Sequence, residues 1–229
     1  LPEAITLTGL FIVNGPVLQV KDAQGRIYPH MDRDAGIAWS GPLVILISKF
    51  SASASEILAG AIQDYERGLI VGDYSTHGKG TVQNLIDLNQ QGLRLFSSSA
   101  KMGALKVTTQ QFFRPSGDSV QQRGVRSDVE LPSLTTHLDV GESDMEYTIP
   151  FNRVPPQRYM KFGYTKKDLV AQLRERSEGR LKESDKFRKA LRNIELYKTQ
   201  KNRASVSLNE AKFLKERAAF NADKEDENA

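Results

Sequence analysis

KFSASASEILAGAIQDYERGLIVGDYSTHGKGTVQ, residues 49–83, is the stretch that decides the fold. It holds three serines (Ser51, Ser53, Ser55), a segment of helical periodicity, a short apolar run and a Gly-Lys-Gly turn that leads into a strand. Ile57, Leu58, Ala61, Ile62 and Tyr65 recur at i, i+1, i+4, i+5 and i+8, one apolar stripe on a helix expected over residues 55–67. A serine and an acid at its start suit the first turn, where free N–H groups and the positive end of the dipole gather. Gly68 is expected to end it. Before the helix, residues 43–47 (LVILI) form a continuous, β-branched-rich run of the kind buried on both faces of a parallel sheet. After it, residues 69–72 (LIVG) read as a second buried strand. Strand, helix and strand in this order make a βαβ unit with parallel strands.

The flanks agree with an α/β chain. Residues 3–13 suit a short helix ending near Asn14-Gly15, and 16–20 a strand. Asp22–Gly25 is a turn, with residues 26–28 as the returning partner and 29–41 as polar loop. Residues 81–88 and 93–98 read as a strand pair around Asn89–Gly92, 105–113 as a further strand, and 129–132 as the close of the sheet region. From Ser133 to Pro156 the chain is polar and turn-rich, which suits a linker or a wrap. Helices are expected over 166–178, stopped by Gly179, then 184–201 and 208–220, before a frayed acidic end.

The 229 residues are 39% apolar, enough for a core. With no cysteine, disulfides, thiolate metal sites and cysteine nucleophiles are excluded. The net charge of +4 conceals an asymmetry: residues 1–150 hold 12 Lys and Arg against 16 Asp and Glu, and residues 151–229 hold 20 against 12. Acids interleave the basic stretch and few aromatics accompany it, so a solvated helical face is expected there rather than nucleic-acid contact. No apolar run is long enough to span a membrane. The chain begins at Leu1-Pro2-Glu3, without initiator methionine or signal peptide, and reads as a piece of a longer protein.

The chemistry lies in the serines and Lys79. A serine hydroxyl is a poor nucleophile until a base takes its proton. His30 and His137 lie in turn-like segments, and a histidine triad could use only His77, which has no evident acid partner. A lysine serves as base if burial or nearby positive charge lowers its pKa. Lys79 lies between two glycines, where the backbone can turn tightly. If the following strand starts early, Lys79, Thr81 and Gln83 share a face, and Gln83 could orient the amine without adding charge. Ser53, at a strand-to-helix junction whose free N–H groups suit an oxyanion, is best placed as nucleophile. Ser55 reads as the helix cap and Ser51 as loop. On spacing alone, turn and cap roles suit all three serines equally well. Asp64 lies 11 residues beyond Ser53, about 16 Å along a helix, too far to bond it. It is either a surface carboxylate or the anchor of a turn near Arg67 or Lys79.

The stretch 50–83 resembles the carboxyl-terminal processing peptidases, most closely their tail-specific protease branch. GLFIVNGPVLQV (9–20), FFRPSGDSVQQRGVRSDVELP (112–132) and VSLNEAKF (206–213) carry the same resemblance. It implies a Ser-Lys endopeptidase with a crotonase-like α/β core, no cofactor or metal, and protein substrates recognised by apolar C-terminal tails. An adaptor protein, contact of the longer protein with the membrane surface, and a place in the bacterial periplasm or cell envelope are implied with it, and no nucleic-acid partner is. Residue by residue, it makes Ser53 the nucleophile, Lys79 the general base, Gln83 the orienter, Asp64 a supporting acid and the Ala54 backbone N–H an oxyanion donor. The expected division is 1–132 as the C-terminal part of the peptidase core, 133–164 as linker or wrap, and 165–229 as a basic helical extension. Three departures stand out. GDYSTHGK is one residue longer than the family's form, Ser127 replaces a proline, and the PDZ domain and glycine-rich strand end of the family would precede Leu1. Weak or absent activity is the expectation for the chain alone. The rival expectation is an inactive crotonase-like binding or scaffold module.

Overall fold

The computed structural model of the chain describes residues 1–88, 103–203, 205 and 207–225. The βαβ unit forms as the periodicity predicts. Strand β3 (Val44–Ile47) leads into helix α2 (Ala54–Asp64) and returns as β4 (Leu69–Gly72), parallel to β3 with Val44 opposite Leu69. The two-residue strand β7 (Val129–Glu130) adds to the other side of β4, also parallel, giving a three-stranded sheet in the order β3-β4-β7. A second sheet is antiparallel, in the order β2-β1-β6-β5. Its strands are β1 (Gly15–Asp22), β2 (Ile27–Asp32), β5 (Thr81–Asp87) and β6 (Ala104–Phe113). Helix α1 (Pro2–Gly9) precedes them and packs, like β1 and β4, against α2. Ile57, Ala61 and Ile62 of α2 meet Ile12, Val17, Leu18, Ile70, Phe112, Val120 and Val125 in one buried cluster. Burial of this apolar surface, rather than helix propensity, holds α2 in place.

Several sequence expectations need correction. Residues 43–47 are not buried on both faces: Leu46 is 75% exposed and Val44 51%, while Ile45 and Ile47 on the opposite face meet the core. The hairpin strand runs on to Asp32, through residues expected to be loop. Ser53, not Ser55, occupies the N-cap, so the helix begins one residue earlier than expected. Gly68 does not end α2. The chain leaves the helix at Glu66, in left-handed conformation (φ 50), with Glu66 N–H donating to Gln63 O at 2.9 Å and Arg67 N–H to Ile62 O at 3.0 Å. That is the paired closure of a left-handed helix end. The partner expected at 93–98 lies outside the described residues; β5 pairs with β6, Thr81 opposite Gln111 and Asp87 opposite Ala104.

The polar segment after β7 crosses the core surface. It contains 3-10 turns at Leu134–His137 and Glu142–Asp144. Val154 N–H donates to Gly117 O at 2.9 Å, Phe162 N–H to Tyr65 O at 2.8 Å and Tyr164 N–H to Glu66 O at 3.0 Å. Helices α3 (Lys167–Glu183), α4 (Asp185–Lys201) and α5 (Glu210–Glu225) follow. Gly179 does not stop α3, since a mid-helix glycine costs only about 1 kcal/mol. Among the described residues no helix is long and apolar enough to cross a membrane.

Candidate active site

The ends of β3 and β4 face the same way, because the strands are parallel. The loops that leave those ends, Ser48–Ser53 and Asp73–Gly80, therefore lie side by side, the usual place for a site in an α/β sheet. A backbone bond ties them together: His77 N–H donates to Ser51 O at 2.9 Å. Asp73, 4% exposed, adds a second tie. It accepts the Lys49 N–H at 2.7 Å and the hydroxyl of Thr135, a residue of the polar segment.

Ser53 sits at the first position of α2 with φ 56 and ψ −108, a conformation that costs a non-glycine residue energy. Its C=O accepts from Glu56 N–H at 2.9 Å and Ile57 N–H at 3.1 Å. Its hydroxyl caps no N–H of the helix. The N–H of Ala54, an exposed residue, has no hydrogen-bond partner among the described residues, while Ser55 N–H is taken by Ala52 O at 3.2 Å. The position thus presents a serine hydroxyl next to an open backbone donor. Ser51 differs: its hydroxyl accepts from Ser48 N–H at 3.1 Å and shapes the loop. Ser55 is exposed on the first turn.

The residue that joins the two loops is Glu56, with no exposed surface. One carboxylate oxygen accepts from the Ser53 N–H at 2.8 Å and the Lys79 N–H at 2.9 Å. The other accepts from the Thr76 hydroxyl at 2.6 Å and the Gly78 N–H at 2.7 Å. Burial raises this carboxyl above its ordinary pKa, and the four donors offset only part of that rise. Thr76 in turn accepts from Val125 N–H at 2.7 Å. One buried carboxylate therefore fixes the backbone of Ser53 relative to that of Lys79. Sequence reasoning saw only an acid in a first turn. The available signal was the Ser53-x-x-Glu56 spacing of a capping box, of which the Glu56 half is formed.

Lys79 is half-buried, and its ammonium has no ion pair or hydrogen bond among the described residues. Gly78 takes φ 95, and a Cβ there would come 2.9 Å from the Gln122 carbonyl carbon, so the turn needs glycine on two grounds. Gln83 is exposed. A register shift between Val82 and Gln83 breaks the alternation, so Thr81 is buried while Gln83 is not, and no hydrogen bond joins Gln83 to Lys79 among the described residues. Asp64 ends α2 at the far side from Ser53 and contacts neither Arg67 nor Lys79. Instead it accepts from the Arg114 guanidinium and, at 2.9 Å, from Ser116 N–H, which anchors the loop after β6. Among the described residues no cluster of three or more His, Asp or Glu could hold a metal.

The family model described as peptidase family S41 matches residues 1–131, and that described as the C-terminal domain of tail specific protease matches residues 135–229. The chain is 37% identical over 211 residues to the tail-specific protease of Haemophilus influenzae, which covers 91% of this chain and 30% of that protein. It is 35% identical over 152 residues to a carboxy-terminal-processing protease of Bartonella bacilliformis, covering 63% and 32%. Among solved structures, the photosystem II D1 C-terminal processing protease shares 32% identity over 57% of this chain and 31% of its own, with a TM-score of 0.45. The chain thus spans about a third of the length of the curated relatives it matches.

Proposed function

Because the chain belongs to peptidase family S41, we propose that it carries the Ser-Lys centre of a serine endopeptidase that processes or degrades proteins by their C-terminal tails. One observation carries the reading: the backbone N–H groups of Ser53 and Lys79 share one oxygen of the buried Glu56 carboxylate. Lys79, neutral, takes the proton of the Ser53 hydroxyl. The Ser53 oxygen attacks the scissile carbonyl, and the Ala54 N–H receives the oxyanion. The Lys79 ammonium returns its proton to the leaving amine. Water, deprotonated by Lys79, then releases the acyl group from Ser53. In this reading Asp64 supports the site from a distance by holding Arg114 and Ser116. The βαβ unit with both loops at one end is read as part of a crotonase-like core.

The names of the relatives, tail-specific and carboxy-terminal-processing, support substrates chosen by their C-terminal residues. Apolar tails, an adaptor protein, a periplasmic location and contact with a membrane surface belong to the same proposal. No cofactor, metal or nucleic acid takes part in it. The test is cleavage of an apolar-tailed protein by the intact protein carrying Ser53→Ala or Lys79→Ala. Each variant should lose about 10⁴-fold or more in rate. Cleavage retained by either overturns the assignment, and a parent protein that cleaves nothing favours an inactive binding module.

A further inference from the structure

The turn that carries Lys79 is held from two sides. On one side Glu56 accepts the Gly78 and Lys79 N–H groups. On the other, Gln122 N–H donates to Gly78 O at 2.8 Å, and Gly80 N–H donates to Gln121 Oε1 at 2.8 Å. Gln121 is fully buried. Its amide has an accepting end and a donating end, and only the accepting end can serve Gly80. Left alone, the amide could rotate by half a turn and set two N–H donors against each other. What fixes its direction is Glu142: Gln121 Nε2 donates to Glu142 Oε1 at 2.8 Å. A carboxylate only accepts, so it selects the donating end and leaves the other facing Gly80.

Glu142 belongs to the polar segment after β7, in the span matched by the second family model. It touches the turn a second time, through its own backbone. Its N–H donates to His77 O at 2.9 Å, two residues before Lys79, and its Oε2 lies 3.8 Å from His77 Nδ1. The Glu142 side chain is 13% exposed and makes both contacts from outside the core.

We propose that Glu142 is a positioning residue for Lys79, acting through Gln121 and the Gly80 N–H, so that the segment after the core completes the register of the catalytic turn. The proposal rests on the reading of Lys79 as the base. The residue touches neither substrate nor reacting atoms, so its effect falls on kcat. A misplacement on the order of 1 Å costs about 10²-fold in rate.

The experiment compares Glu142→Ala, Glu142→Gln and the parent in the intact protein, with rates normalised to sites titrated by a serine-directed phosphonate. Glu142→Ala should lower kcat per titrated site by about 10- to 100-fold with KM within about twofold. Glu142→Gln, which keeps an oxygen to accept from Gln121, should recover most of the loss. Should Glu142→Ala lose its cooperative melt, Glu142→Met, which fills the space without an accepting oxygen, takes its place. Unchanged kcat per site in the variant lacking the acceptor, or a Glu142→Gln no better than it, overturns the proposal. Ser53→Ala separates the two readings. If it still cleaves, the Ser-Lys reading fails and takes the proposal with it; if it is inactive while Glu142→Ala is unimpaired, only the proposal fails.

Discussion

Four donors converge on the Glu56 carboxylate, one from Ser53 and three from the loop that carries Lys79. An amide of the same shape could accept only about half of them, leaving buried N–H groups facing an NH₂. Each group left unsatisfied costs roughly 1–3 kcal/mol. Glu56→Gln should therefore lower unfolding stability by at least that amount in a denaturant melt and slow phosphonate labelling of Ser53. A variant with unchanged stability and labelling contradicts the shared-carboxylate account. Ser53 and Lys79 were legible in the sequence by residue type and by the strand-to-helix and Gly-Lys-Gly settings. Glu56 was legible as a first-turn acid only, because its partners at Thr76, Gly78 and Lys79 arrive from a loop 20 residues or more further on. The local pattern also misled over the cap: both Ser53 and Ser55 fit a helix start, and it is the fold of the preceding loop that places Ser53 there.

Helix α2 is anchored at both ends, and its far end explains Asp64. Removing that carboxylate strips the largely buried Arg114 guanidinium of its only anion among the described residues. Breaking a buried pair in this way costs roughly 3–5 kcal/mol. Asp64→Ala should thus lose stability while the folded protein, held at low temperature, still reacts at Ser53 with phosphonate. A stable but unreactive Asp64→Ala contradicts a supporting role for Asp64. The same helix end meets the segment after the core at Tyr65 and Tyr159, whose ring centroids are 4.8 Å apart. Burial pushes the Tyr159 hydroxyl up to about 12, with the nearby Asp64 carboxylate adding to it. The folded state thus resists ionising this group more than the unfolded state does, so the group's contribution is fully present below about pH 10 and is lost as pH rises through about 12. Denaturant stability should hold level to about pH 10 and then fall, and the fall should be smaller in Tyr159→Phe. An equal fall in that variant contradicts the buried contact. The element pattern itself was largely legible: periodicity gave α2 and the parallel β3–β4 pair. It could not show that β3 is an outer strand with Leu46 exposed, because a continuous apolar run looks the same whether one face or two are covered.

Across the whole molecule, the polar segment after β7 is tied to the core by specific bonds. Thr135 reaches Asp73 beside the serine loop, and Glu142 reaches Gln121 beside the lysine turn. Composition foresaw the charge asymmetry but not these two attachments, since neither Thr135 nor Glu142 lies in any periodic pattern. The central claim is that Ser53 is the nucleophile and that Lys79 activates it. The most direct measurement is the site and rate of labelling by a serine-directed fluorophosphonate, mapped by peptide mass spectrometry in the intact protein. The account predicts a single adduct on Ser53, formed at least about 10²-fold more slowly in Lys79→Ala. An adduct on Ser51 or Ser55, or an equal rate without Lys79, would contradict it.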